Sequence, residues 1–228
     1  MPSLFDIGKS GLQAYRQSLA VTGQNIANIN TDGYKKRETA LEEVTGAGGG
    51  VTEISDQTGL GVRVEDIKRA FDQFLIDKVR QTQALYQKAD TYLDEVKSLE
   101  NLLLPSDANL SNAIGEFFGS LQQIAAAPDD QAPRIISIEK GKDLAGQFNL
   151  YSDRIENLKE KIFDKANNGV TSVNLLSNQI STINAKLLSS GSGNSSNALL
   201  DQRDLLIDQL SEVCQISVNY INKGAAQI

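Results

Sequence analysis

Residues 71–103 read FDQFLIDKVRQTQALYQKADTYLDEVKSLENLL, and they carry two lines of residues that recur at every seventh position. One line is Leu75, Thr82, Ala89, Val96 and Leu103; the other is Phe71, Lys78, Leu85, Tyr92 and Leu99. A seven-residue repeat keeps one stripe of an α-helix turned toward a partner helix. The stretch therefore reads as a rod of roughly 50 Å at 1.5 Å per residue. Pro105 ends it. Beyond it, Ser106 and Asp107 are N-cap candidates for a shorter helix with the core face Leu110, Ile114, Phe117, Leu121 and Ile124. Pro128 and Pro133 bracket a turn, after which a second very long helix is expected. Its seam lines are Ile155, Ile162, Gly169, Leu176, Ile183 and Lys159, Ala166, Val173, Ile180, Leu187, with a bend expected at Gly169.

The segments outside the rods differ in character. SSGSGNSSN at 189–197 reads as a Gly/Ser loop. It leads into ALLDQRDLLIDQLSEV, a helix with Leu199, Leu206, Leu210 and Val213 on one side. ISVNYI, residues 216–221, alternates at period two and reads as a strand without a visible mate. Upstream of the first rod, GAGGGVTEISDQTGLG at 46–61 reads as an extended connector.

The first helix repeats Phe5, Gly8, Leu12, Tyr15, Leu19, Thr22, Ile26 and Ile29 at alternating spacings of three and four, a coiled-coil seam. Gly8, Gly11 and Gly23 each weaken that helix by about 1 kcal/mol relative to Ala. It is expected to order only when a partner covers its apolar edge. The fold class that follows is mostly α: an elongated antiparallel bundle of long heptad-patterned helices, a separate N-terminal helix and one or two short strands. The expected division is 1–40 for the N-terminal helix, 41–70 for the connector, 71–214 for the bundle and 215–228 for the beginning of a β segment.

Composition removes most chemistry. The chain has 228 residues, 40% hydrophobic and 22% charged, an ordinary globular balance. It contains no histidine and one cysteine, Cys214, so a disulfide framework within the chain, a Cys/His metal cluster and a His-activated nucleophile are all excluded. Acidic pairs such as Glu42–Glu43 and Asp129–Asp130 fall on loops or exposed faces, and Asp201, Arg203 and Asp204 are expected to face solvent or pair locally. No catalytic, cofactor-binding or metal-binding residue emerges, and no small-molecule substrate. The net charge of −7 argues against nucleic acid as a partner despite the basic run YKKR at 34–37. No window approaches the ~18 apolar residues of a membrane span, and residues 1–17 lack the basic start and apolar core of a signal peptide.

SLFDIGKSGLQAYRQSLAVTGQNIANINTDGYKKRE, residues 3–38, resembles the N-terminal signature of the bacterial flagellar axial proteins, the rod, hook and hook-associated family. The pattern is met by Ser3, Leu4, Gly11, Leu12, Leu19, Asn25, Ile26, Ala27, Asn28, Asn30, Thr31, Gly33 and Tyr34. NALLDQRDLLIDQLSEVCQISV, residues 197–218, is similar to a segment of the hook-associated members found at the hook–filament junction. The resemblance implies a structural, non-enzymatic flagellar subunit, exported by the flagellar type III apparatus to the extracellular flagellum. Its implied partners are other copies of itself, hook protein and the second junction protein. It also implies that the N-terminal helix pairs with a C-terminal helix lying beyond residue 228.

The expected subunit interface is Leu4, Phe5, Leu12, Tyr15, Leu19, Asn25, Ile26, Asn28, Ile29, Asn30, Gly33 and Tyr34. The asparagines at the helix exit can bond backbone in the last turn or in adjacent subunits. An interface role for Asn28 and Asn30 is favoured over simple capping, which needs one Asn and Gly33 alone. The competing readings are another axial protein, such as hook protein, and a non-polymeric coiled-coil adaptor or secreted effector.

Overall fold

Asp72 and Asp130 each stand just ahead of a long helix and accept a backbone N–H of its first turn, from Leu75 at 3.0 Å and from Ala132 at 3.0 Å. Such N-caps fix where a helix begins. In the computed structural model, which describes residues 4–44, 61–103, 110–189 and 194–228, they start two of five α-helices among the described residues. The elements in chain order are α1 (Leu4–Ala27), β1 (Arg37–Glu43), β2 (Val62–Arg69), α2 (Gln73–Leu103), α3 (Leu110–Ala126), α4 (Gln131–Ser189), α5 (Asn194–Val213), β3 (Asn219–Tyr220) and β4 (Ala226–Gln227). Pro133 sits in the first turn of α4, where its missing N–H costs no helical bond. The helix then runs continuously through Gly169 for 59 residues. The expected caps Ser106 and Asp107, and most of the Gly-rich stretch 46–61, lie outside the described residues.

The chain divides into two units, with both divisions falling inside helices. One unit holds residues 1–84 and 172–228, the other 85–171. The expected bundle domain, 71–214, is thus shared between them.

In the second unit three helical stretches run antiparallel. Lys165 of α4 pairs with Glu95 of α2, while Leu103 and Ile155 line one groove, so α4 numbers fall as α2 numbers rise. Lys140 of α4 reaches Glu116 of α3 at 2.7 Å, and the Phe117 ring rests on Gly141. The heptad positions of α2 do not form a buried face: Leu85, Tyr92, Val96, Leu99 and Leu103 all remain exposed. The seam that was expected to be buried along this rod is corrected accordingly.

The first unit carries the apolar core. Ile180, Ile207, Leu210, Val218 and Ala226 form it, with Val173, Leu176, Leu206, Cys214, Ile216 and Tyr220 packed against it. Here the α4 seam reading holds, since Ile180, Ile183 and Leu187 are buried. On α5 the buried apolar positions are Ile207 and Leu210, whereas Val213 is exposed. The strand at 219–220 does have a mate: after a turn with Lys223 and Gly224 both at positive φ, it pairs antiparallel with Ala226–Gln227. Asn184 of α4 pins that ribbon, donating from Nδ2 to the Ala226 carbonyl at 2.7 Å and accepting the Ala226 N–H on Oδ1 at 2.9 Å.

The stretch expected to be a connector contains a second antiparallel ribbon. β1 pairs with β2 from Arg37↔Arg69 to Glu43↔Val62, with an irregularity between Ala40 and Leu41. Both strands are rich in charge, RETALEE and VRVEDIKR, which hid them from a hydrophobic reading.

Candidate subunit interface

Helix α1 has two edges with different chemistry. On one, Ser10, Ala14, Ser18, Val21 and Asn25 follow each other at spacings of four and three, which places them in one row. This row docks on the β1–β2 ribbon. The Ser10 hydroxyl accepts the Val62 N–H at 3.2 Å, and Gly61, at φ +111°, packs so tightly there that a Cβ would lie 2.2 Å from Ser10 Oγ. Ser18 Oγ and Thr39 Oγ1 share a hydrogen bond of 2.8 Å. Between these polar rungs, Ala14 and Val21 are buried.

The third rung is Asn25. Its Nδ2 donates to the Arg37 carbonyl at 2.8 Å, and its Oδ1 accepts both the Arg37 N–H and the Tyr34 hydroxyl at 2.9 Å. The Arg37 guanidinium lies 5.0 Å above the Tyr34 ring. Asn28 serves the helix end locally, donating to the Gln24 carbonyl at 2.9 Å and accepting the Thr31 hydroxyl at 3.2 Å. Gly33, at φ +77°, turns the chain where a Cβ would stand 3.0 Å from that of Leu205 on α5. Asn30 is exposed and makes no side-chain hydrogen bond among the described residues.

The other edge carries the heptad residues, and no described part of the chain covers it. Leu4 is 88% exposed, Phe5 80%, Leu12 75%, Leu19 72% and Ile29 79%; Tyr15 and Ile26 are also exposed. An exposed leucine is ordinary, but six large apolar side chains along one edge of α1, with Ile29 just past its end, make an uncommon exposed apolar stretch. Of the twelve expected interface residues, the structure thus places seven apolar ones and Asn30 outward, and ties Asn25, Asn28, Gly33 and Tyr34 into the chain itself. The helix already has a partner on its small-residue edge, which the heptad reading did not foresee. The spacing of Ser10, Ala14, Ser18, Val21 and Asn25 was the available signal.

What holds the ribbon, and with it α1, is an ionic cluster on α5. Asp201, Asp204 and Asp208 stand on one face of that helix. Arg37 of β1 reaches Asp201 at 3.2 Å; Arg69 of β2 faces Asp201 at 3.3 Å and hydrogen-bonds Asp204; Arg80 of α2 bonds Asp208 at 2.7 Å. Asp204 and Arg203 are 0% and 2% exposed. Arg203 pairs with its neighbour Asp204, as the local-pairing alternative had it, and the solvent-facing alternative is corrected: four arginines, Arg37, Arg69, Arg80 and Arg203, supply enough counter-charge and hydrogen bonding to keep these carboxylates out of water. Arg80 also donates to the Tyr220 hydroxyl at 2.8 Å, and burial pushes that phenol above its ordinary value, with Arg80 opposing the rise. No helix among the described residues is long and apolar enough to cross a membrane.

A helix fastened by its small edge and bare along its apolar edge suits a protein that works by contact, and flagellar proteins match the chain. Residues 5–35 match the family model described as flagella basal body rod protein. Residues 96–228, more than half of the chain, match the flagellar hook-associated protein FlgK helical domain, and the chain belongs to that family. It is 29% identical over 230 residues to flagellar hook-associated protein 1 of Salmonella typhimurium, covering 98% of this chain and 40% of that protein. Flagellar hook-associated protein 1 of Bacillus subtilis is 29% identical, covering 96% of this chain and 44% of its own length. The solved flagellar hook junction protein FlgK from Burkholderia pseudomallei aligns with a TM-score of 0.60 and 27% identity, covering 65% of this chain and 26% of that one. The chain thus spans about two fifths of the curated relatives it matches.

Proposed function

We propose that this chain is a structural subunit of the bacterial flagellum at the hook–filament junction, and that it works by contact. The apolar edge of α1 is laid against neighbouring subunits, with Leu4, Phe5, Leu12, Tyr15, Leu19, Ile26 and Ile29 as the buried contacts and Asn30 as a polar one. The partners are further copies of the chain, hook protein and the second junction protein, reached after export through the flagellar type III apparatus. Residues 1–40 act as the inner axial helix of the assembly. Asn25, Asn28, Gly33 and Tyr34 contribute indirectly, by setting the angle at which α1 leaves the ribbon.

The observation that carries this reading is the uncovered row on α1. Burying one exposed leucine side chain is worth about 1.5–3 kcal/mol, so several such residues along one edge supply the driving force for helix-to-helix association. The relatives' names, hook-associated and hook junction protein, support this place. The test is the double change Leu12→Glu and Leu19→Glu in the bacterium's own gene. Neither side chain is needed inside the chain, so helix content by circular dichroism and export should stay at the parental level. Motility should be lost and unpolymerised flagellin shed into the medium. Parental motility in that strain would contradict the proposal.

A further inference from the structure

Every member of the apolar cluster around Ile180 and Ile207 comes from residues 173–226, and Ala14, Val21 and Ile67 are buried apart from it. The N-terminal segment reaches that core by other means. Arg37, Arg69 and Arg80, from three different elements, converge on Asp201, Asp204 and Asp208 of α5. Within the segment, α1 and the ribbon are joined to each other by the separate rungs at Ser10, Ser18 and Asn25. Two sets of bonds are therefore present: one that assembles α1 with its ribbon, and one, mainly ionic, that fastens this assembly to α5, where Asn197 Nδ2 also donates to the Ile67 carbonyl at 2.7 Å and Leu205 rests on Gly33.

We infer that the arginine–aspartate cluster is a latch, and that α1 with the β1–β2 ribbon is a detachable module which docks only when α5 is in place. Ion pairs that are buried contribute less to net stability than to choosing one arrangement, yet breaking one partner leaves a buried charge uncompensated. A module held in this way is released by losing a single arginine, whereas an apolar core loosens by degrees. The latch is also late. Its bonds span 164, 135 and 128 residues of sequence. A chain emerging N-terminus first presents α1 and the ribbon well before any aspartate of the latch exists. The apolar edge of α1 is then carried on a segment that has nothing to dock on. A two-stranded ribbon with one helix is too small to hold its own hydrogen bonds firmly, so undocking should be visible as local opening.

The test is residue-resolved amide hydrogen exchange on the whole chain carrying Arg69→Gln. Exchange in 37–43, 62–69 and 4–27 should rise at least tenfold, while 176–187 and 203–212 keep parental protection. Arg37→Gln, which removes the contact to Asp201 and the guanidinium over the Tyr34 ring but leaves Arg69 in place, should give the same pattern with a smaller rise, and it decides the matter if Arg69→Gln yields no folded protein. A rise of equal size throughout the first unit would overturn the latch, because the segment would then share one cooperative core. Unchanged exchange in the ribbon would overturn it as well.

Discussion

Asn25 and Asn184 do the same work at opposite ends of the sequence. Each side-chain amide brackets one residue of a strand, donating to its carbonyl and accepting its N–H, on Arg37 and on Ala226 respectively. An amide side chain can replace a missing neighbouring strand in this way, because it offers the same donor and acceptor as a peptide group. Asn25→Ala leaves the Arg37 backbone and the Tyr34 hydroxyl without those partners, and it should lower stability by about 1–3 kcal/mol. Asn30→Ala should change stability by less than about 0.5 kcal/mol, as an exposed substitution does. Urea unfolding followed by circular dichroism separates the two. Equal losses would mean that the asparagines act alike, as a ladder would require. The crowding of asparagine at this helix exit was visible in the sequence; its division into a strand bracket, a helix cap and an exposed amide was not, since that division depends on Arg37 lying opposite Asn25.

At the scale of elements, legibility followed the source of each element's burial. The C-terminal half of α4 buries its heptad residues, and its period announced it. The docking edge of α1 is hydrogen-bonded serine and asparagine with small apolar residues between, so hydropathy pointed to the opposite edge. β1 and β2 carry glutamate, arginine and lysine because α1 covers only one face of a two-stranded ribbon, and a charged ribbon does not alternate clearly between apolar and polar. Asp204 has a local partner in Arg203, but the burial of Asp201 and Asp204 was not legible since Arg37 and Arg69 lie more than a hundred positions away. β3 was legible as a strand, but its mate is two residues long.

That short ribbon carries a pH dependence. Burial raises the Tyr220 pKa in the folded chain while Arg80 works against the shift. An acid whose folded pKa is raised keeps its stabilising contribution below the unfolded value near 10 and loses it as pH climbs through the folded value. Thermal unfolding of the parent should therefore fall more steeply than that of Tyr220→Phe as pH rises above about 10. Parallel profiles would show that the phenol is not protected by the fold.

For the molecule as a whole, the two ends of the sequence meet in one unit: residues 1–84 with 172–228. The unit presents a bare apolar helix edge, and the helix that bears it buries only Ala14 and Val21, outside the cluster around Ile180 and Ile207. On the proposed reading, a neighbour completes such a chain. Hydroxyl-radical footprinting of α1, in the free protein and in intact flagella, measures this most directly. Leu4, Phe5, Leu12, Leu19 and Ile29 should be labelled in the free protein and protected in the flagellum, with Val21 protected in both. Equal labelling of those five residues in the two states would contradict the account.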